Sequence, residues 1–477
     1  MKILQLLLAI LPLAYALAQP TSNAPWRYEL LDGSSIADDC PICGRPTVIH
    51  PMRGTFELHL DSFGPLFTTY RLTNIQFHAG SKADPFYTVT GSGTFRIGGQ
   101  LAVQQDMTLL TETCDATPTC REVTLTNDDR GVRVSFPLID ISLTQTQVSL
   151  QSVYEMRIVA APVREIWFMV TNSFTPTNGG PMVRAGDVLE RSGRTVRRRE
   201  WLLESNGVQN PPPGLRLDSL DVAPGGDLLF STAAPNVTSL REGDLLSWRG
   251  GVRRTNQHLL MAFGIQPPIA DVGLDAVHVT DGGEILFSIP TNVLSGALGT
   301  TLGHGDVLSD KGSVVINNQL LLQRFQPENN GVDYGVDALH VWPNGEIWFS
   351  TTAGFMDRQL GAISDGDLLS SEGIIVFRNA ELVSAWGAPG PDLNVGLGDI
   401  FVVTDAVAGP PPRLFSPQLS GTDIWLQWLG SNRVFQVEQA STVTGPWQTI
   451  GFIDPALFLR EPGGAAFAQR FFRLRAW

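Results

Sequence analysis

Lysine is nearly missing from this chain. Lys2, Lys82 and Lys311 are its only copies among 33 basic residues, against 47 acidic ones and a net charge of −14. A nucleic-acid binder needs a basic footprint, so this balance excludes nucleic acid as a partner. Charge of either sign is scarce, at 17% of residues. Helix bundles need many Glu, Lys and Arg on exposed faces, so that class is a poor fit. No apolar run reaches the ~20 residues of a spanning helix, and no membrane span is expected. Catalytic signatures are also missing. There is no Gly-x-Ser-x-Gly elbow, no His-Glu-x-x-His, no phosphate loop and no dinucleotide fingerprint. Spatial triads escape such a search, so catalytic residues stay unassigned.

What the chain has in quantity is Gly (48) and Pro (32), with 43% hydrophobic residues over a length of 477. That length suggests about three domains. The composition fits turn-rich β structure with a packed core, so an all-β class is expected. Residues 1–18 read as a secretory signal: Lys2, an apolar run from Ile3 to Leu13, then Ala16-Leu17-Ala18 before Gln19. Secretion is therefore expected, to the periplasm, the cell surface or the medium. The four cysteines are Cys40, Cys43, Cys114 and Cys120. An even number in an oxidising compartment points to two disulfides, of three connectivities. Cys40 and Cys43 also have the spacing of a zinc knuckle, but the second pair is spaced too widely to match it.

Three regions follow one another. From 26 to 153, period-two alternation recurs, as in Phe56-Glu57-Leu58-His59-Leu60 and Tyr70-Arg71-Leu72. About seven strands with one buried face each predict a β-sandwich or a barrel-like closure. The second region, 154–404, is repetitive. Leu217-Asp218-Ser219-Leu220-Asp221-Val222 aligns with Leu274-Asp275-Ala276-Val277-His278-Val279 and with Val336-Asp337-Ala338-Leu339-His340-Val341. Each copy continues into a second apolar strand (Asp227–Ser231, Glu284–Ser288, Glu346–Ser350). A Gly-Asp pair follows, at Asp187, Asp244, Asp306 and Asp367. Last comes an apolar segment ending in an aromatic, read as a fourth strand: His258–Phe263, Gln319–Phe325 and Glu381–Trp386. Counting on to an orphan first strand at Leu397–Val402, the steps are 57, 62 and 61 residues.

Four short strands in about 60 residues cannot bury both faces alone, so the copies must stack, and radial stacking makes a propeller. The segment Asn344-Gly345-Glu346-Ile347-Trp348-Phe349-Ser350 resembles the turn and second strand of many bacterial β-propeller blades. The resemblance implies a β-propeller-like repeat domain of about four blades. The orphan strand would complete one blade from both chain ends, and a fifth blade could be borrowed from the first region. Pro410-Pro411-Pro412 marks a stiff linker over 405–413. Beyond it, 414–477 alternates in Asp423–Trp428 and Val434–Glu438. It resembles the fibronectin type III-like modules that end many secreted bacterial proteins, which implies a small C-terminal β-sandwich.

The repeat superposes Asp221, His278 and His340. If first strands line a channel, one carboxylate and two imidazoles could meet there as ligands of a divalent metal. Val159 and Phe401 fill the equivalent places in the other copies. The Gly-Asp aspartates are read as turn-fixing groups, because a short carboxylate accepts nearby backbone N–H bonds. The run Arg191, Arg194, Arg197, Arg198 and Arg199 is read as exposed surface. Trp167 and Trp348 are read as core. The functional expectation is an exported, non-enzymatic β-repeat protein for extracellular or cell-surface binding or scaffolding. It needs no cofactor, the metal apart, and its partner is an extracellular glycan or protein. The alternative is an extracellular polysaccharide hydrolase or lyase with its active site in the channel.

Overall fold

The computed structural model describes residues 24–477 except 41, 45, 81–84, 100–102, 118, 128–133, 148–152, 213, 234–239, 388–393, 408 and 467–468. The expected signal at 1–18 lies outside the described residues.

Alternating residues of the first region form nine strands. They are β1 (Trp26–Leu30), β2 (Ser35–Asp39), β3 (Val48–Phe63), β4 (Phe67–Gly80), β5 (Pro85–Gly98), β6 (Gln104–Asp115), β7 (Cys120–Thr126), β8 (Ile139–Gln145) and β9 (Val153–Ala161). From β3 to β9 each strand pairs antiparallel with the next. β1 and β2 lie end to end between β3 and β9 and pair with both. The sheet therefore closes on itself as a barrel, which removes its edges. Tyr28, Phe56, Leu58, Val89, Phe95, Leu109 and Leu125 fill the inside. Gly54 (φ +145°) kinks β3, and a Cβ there would lie 2.1 Å from the carbonyl oxygen of Gln76. Such bends let long strands curve around a small core. Both cysteine pairs are disulfides, Cys40–Cys43 and Cys114–Cys120. The second clips the β6–β7 hairpin, where the two residues face each other.

The repeats form four antiparallel four-stranded sheets. Their first strands are Arg216–Ala223, Val277–Val279, Ala338–Val341 and Asp399–Thr404. Each of these contacts its two neighbours in a closed cycle, so the four stand around one axis. The sheet of Asp399–Thr404 takes its other strands, Val163–Met169, Val188–Glu190 and Arg194–Arg197, from the start of the repeat region. The two ends of the region thus complete one sheet, as the orphan segment requires. Val159, aligned with the first strands, lies instead in β9 of the barrel. Among the described residues the ring is made of four sheets. Second-strand serines join the sheets: Ser231 Oγ donates to Leu274 O (3.0 Å), Ser288 Oγ to Val336 O (2.8 Å) and Ser350 Oγ to Leu397 O (3.3 Å).

One strand assignment is corrected. His258–Phe263, Gln319–Phe325 and Glu381–Trp386 are not fourth strands but lie in or beside short helices, Asn256–Leu260, Asn318–Leu321 and Asn379–Leu382. The fourth strands precede them, at Val252–Arg254, Ser313–Ile316 and Ile374–Phe377. A short apolar run suits either state, and here polar groups decide. Thr255 and Asn317 cap two of the helices by accepting backbone N–H bonds from His258 and Leu320. The Gly-Asp aspartates bind the first helical N–H: Asp244 to Asn256 (2.9 Å), Asp306 to Asn318 (3.2 Å), Asp367 to Asn379 (2.9 Å). Those aspartates are structural, in line with the turn chemistry expected of them.

The C-terminal region is two facing sheets. Asp423–Leu429 has Phe458–Glu461 on one side, and Arg413–Leu414 with Gln418–Ser420 on the other. Phe435–Ala440 lies between Gln448–Asp454 and Phe471–Ala476. Ile424, Leu426, Trp428, Phe435 and Val437 form the core of this small sandwich. Barrel, ring and sandwich are bolted together by the arginine run. Arg191 pairs with Glu29 of the barrel, and Arg197 with Asp454 of the sandwich (2.9 Å). Arg194 bonds Ile453 O (3.1 Å), while Arg198 meets Asp187 (2.7 Å). The run is a junction rather than open surface. Trp167 and Trp348 are fully buried, as expected of core residues.

Candidate functional site

Because the four first strands share one register, each repeat position becomes a layer across the axis. The middle layer holds Ser219, Ala276, Ala338 and, in the fourth copy, Asp399. Its carboxylate accepts backbone N–H bonds from Leu220 (2.7 Å), Val277 (3.1 Å), Leu339 (2.9 Å) and Ile400 (2.8 Å). These donors are the same repeat position in all four sheets. Asp399 is completely buried, and that burial pushes its pKa well above the usual range despite the four donors. One carboxylate thus ties the ring together at its centre.

Two residues further along lies the layer that repeat alignment singled out. His278 lies against both Asp221 and His340, with Phe401 as the fourth member of the layer. The two imidazoles pack edge to face with centroids 5.0 Å apart, and His278 Nδ1 is 3.8 Å from Asp221 Oδ2. Burial, the other imidazole and Arg433 hold His278 well below the usual histidine range. Burial and then Arg433 hold His340 at about 3. Both rings are neutral at pH 7. Asp221 is raised to about 6 by burial, opposed by Arg433 and by N–H bonds from Val279 and Val222.

Arg433 was outside the repeat and carried no sequence signal. It reaches in from the sandwich and donates to Val222 O (2.7 Å), Val279 O (2.5 Å) and Asp281 (2.9 Å), with Asp221 Oδ2 at 3.5 Å. A guanidinium therefore stands beside the carboxylate that would serve a metal. Among the described residues, no group of three or more His, Cys, Asp or Glu is placed to hold a metal ion. Beside Arg433 lies a pocket of about 190 Å³, walled by His278, His340, Trp342, Phe401, Thr280 and Trp477 among others. Trp477 is fixed there by its indole N–H, which donates to Asp405 (2.8 Å).

At the start of the first strands stand Asp218, Asp275 and Asp337, close enough that the charge of Asp218 bears on the other two. Burial raises Asp218 to about 6 and, with Asp218 adding to it, Asp275 to about 8. Arg216 lies 3.1 Å from Asp218 and offsets part of this charge. Alignment could have found both this layer and Asp399. Asp218, Asp275 and Asp337 recur openly, and Asp399 is a carboxylate where the other copies carry Ser or Ala.

No family model and no curated protein sequence matches the chain. Among solved structures, it aligns with the extracellular domain of a putative hybrid two-component system from B. thetaiotaomicron. The identity is 7%, over 87% of this chain and 75% of that one, with a TM-score of 0.20. The extracellular domain of a putative one-component system from the same organism aligns at 6% identity, over 92% and 95%, with a TM-score of 0.19. Likeness at this level carries no argument about the ligand.

Proposed function

We propose that this chain is an exported, non-enzymatic protein for extracellular binding or scaffolding. In this reading a barrel (26–153) carries a β-propeller-like repeat domain (154–404), with β9 crossing that boundary. A linker (405–413) leads to a fibronectin type III-like module (414–477). Two disulfides support an oxidising compartment. The observation that carries the function is the engagement of Asp399 with four backbone N–H groups. The channel centre is thereby a structural knot rather than a reaction chamber, and the ligand surface lies at the mouth beside Arg433. The partner class is an extracellular glycan or protein. The purified mature chain is screened on a glycan array and against a polysaccharide panel. Retention without turnover is expected. Hydrolysis or elimination abolished by a substitution in the Asp218, Asp275 and Asp337 layer would replace this reading with the hydrolase or lyase one. A divalent metal on Asp221, His278 and His340 is supported by the contacts of His278 with the other two and opposed by Arg433. Metal analysis after dialysis against a chelator, on wild type and on a His278→Ala, His340→Ala double variant, decides it.

A further inference from the structure

We propose that the cleft where barrel, linker and sandwich meet takes the free C-terminal end of an extended peptide, with Arg475 receiving its carboxylate. This rests on the binding reading above and names its partner as a protein.

The cleft encloses about 560 Å³, well within the range of ligand sites. It lies between the chain entering β1, the linker and the last strand of the sandwich. Val407 and Trp477 are shared with the pocket beside Arg433.

Arg475 supplies the charge. It lines the cleft, and its side chain keeps 26% of its surface exposed, so a ligand can reach it. Among the described residues its guanidinium donates no hydrogen bond. Its ion-pair contact is Glu438 Oε1 at 3.8 Å, beyond hydrogen-bond reach. Both acids that bear on it are already engaged. Glu438 accepts from Arg473 (2.5 Å). Asp405 accepts from Arg164 (2.6 Å), from the backbone N–H of Arg27 (2.9 Å) and from the indole of Trp477 (2.8 Å). Burial, then Arg164, hold the Arg475 guanidinium below its usual range, and Arg473 adds to this. An arriving carboxylate balances that charge and can accept two parallel N–H bonds from the guanidinium.

The strand beneath it favours a peptide. Phe471–Ala476 pairs with Phe435–Ala440 on one side and, among the described residues, with no strand on the other. Such an edge presents unpaired backbone groups, along which an extended segment can continue the sheet. Its residues from Arg473 to Ala476 line the cleft. The remaining walls include Pro25, Trp26, Val407, Pro411 and Trp477. These suit an apolar last side chain and give sugar hydroxyls few partners, so a peptide end is selected over a uronic acid.

The test uses the full mature chain and calorimetry. The probes are N-acetylated hexapeptides ending in Leu, Val or Phe, each as the free acid and as the carboxamide, with methyl glucuronide as the sugar acid. At least one free acid binds about ten-fold or more tightly than its carboxamide, the scale of one hydrogen bond to a charged group. Arg475→Gln removes that preference, and Arg475→Lys, which keeps the charge, retains part of it. Should Arg475→Gln fail to fold, a wild-type crystal grown with the tightest peptide decides. A carboxylate on Arg475 supports the assignment, and a peptide seated elsewhere overturns it. Equal binding of acid and carboxamide, a preference unchanged by Arg475→Gln, tighter binding of the glucuronide, or no peptide bound also overturns it. If the glycan array is then positive, the cleft assignment falls alone. If the array is silent as well, the binding function falls with it.

Discussion

Asp399 concentrates more of the fold into one side chain than any neighbour in its layer, because it answers a backbone donor from every sheet. Removing it leaves four buried N–H groups without their acceptor. Asp399→Ala is expected to cost about 3 kcal/mol or more in urea unfolding, since each orphaned donor costs about 1–3 kcal/mol. The buried carboxyls also set a pH dependence. Asp275 is raised to about 8 and Glu346 to about 7, chiefly by burial. In the unfolded chain such groups titrate near 3.9 and 4.3. Between those values the native state holds protons that the unfolded chain has lost. Their contribution is complete at low pH and fades as pH rises through the folded pKa. His340, held at about 3 against about 6.5 unfolded, acts in the opposite sense. Its contribution is complete at neutral pH and fades as pH falls below about 6.5. Above that point the acids act alone, so the urea midpoint should drop from pH 6.5 to 8.5. Asp275→Asn should flatten that drop. A midpoint that stays level in the wild type contradicts the assignment.

At the scale of strands and short helices, the seams between sheets are narrow and specific. Ser288→Ala removes a buried bridge to the next sheet and should cost about 1 kcal/mol. Asp306→Ala, which releases the N–H groups of Asn318 and Gly303, should cost more, about 2 kcal/mol. Thermal or urea unfolding ranks the two. This is also the scale at which sequence reading succeeds and fails. The repeated Leu-Asp-x-aliphatic run marks the first strands because their side chains face the same surroundings in each copy. Leu397–Val402 is recognisable for the same reason. The runs ending in Phe263, Phe325 and Trp386 mislead, because six or seven mostly apolar residues carry too little period to separate strand from helix. What decides is a carboxylate twelve residues upstream, as Asp244 is to Asn256. Barrel closure by β1 and β2 is equally hidden, since it depends on two short strands sharing one slot. Arg433 belongs to another region altogether, and nothing local announces that it will cross to Asp221.

For the molecule as a whole, the small sandwich is part of the ring's architecture rather than a trailing appendage. Arg433 bonds two first strands, Gly225 N–H donates to the carbonyls of Ser431 and Asn432, and Trp477 packs among ring residues. Arg433→Met keeps much of the side-chain volume and deletes the bonds. The variant should become sensitive to limited proteolysis between residues 405 and 413 and lose a single cooperative unfolding transition. Cleavage no faster than in the wild type would mean that the remaining contacts suffice to hold the sandwich.

The sheet that unites Val163–Met169 with Asp399–Thr404 works as a clasp whose second half is synthesised long after its first. A polypeptide cut short before residue 399 is left as an open crescent, with the Val163–Met169 backbone bare along one side and the aspartate that gathers four amides missing. Such a fragment can borrow the absent piece from another molecule, so truncated products should accumulate as strand-exchanged oligomers rather than as monomers.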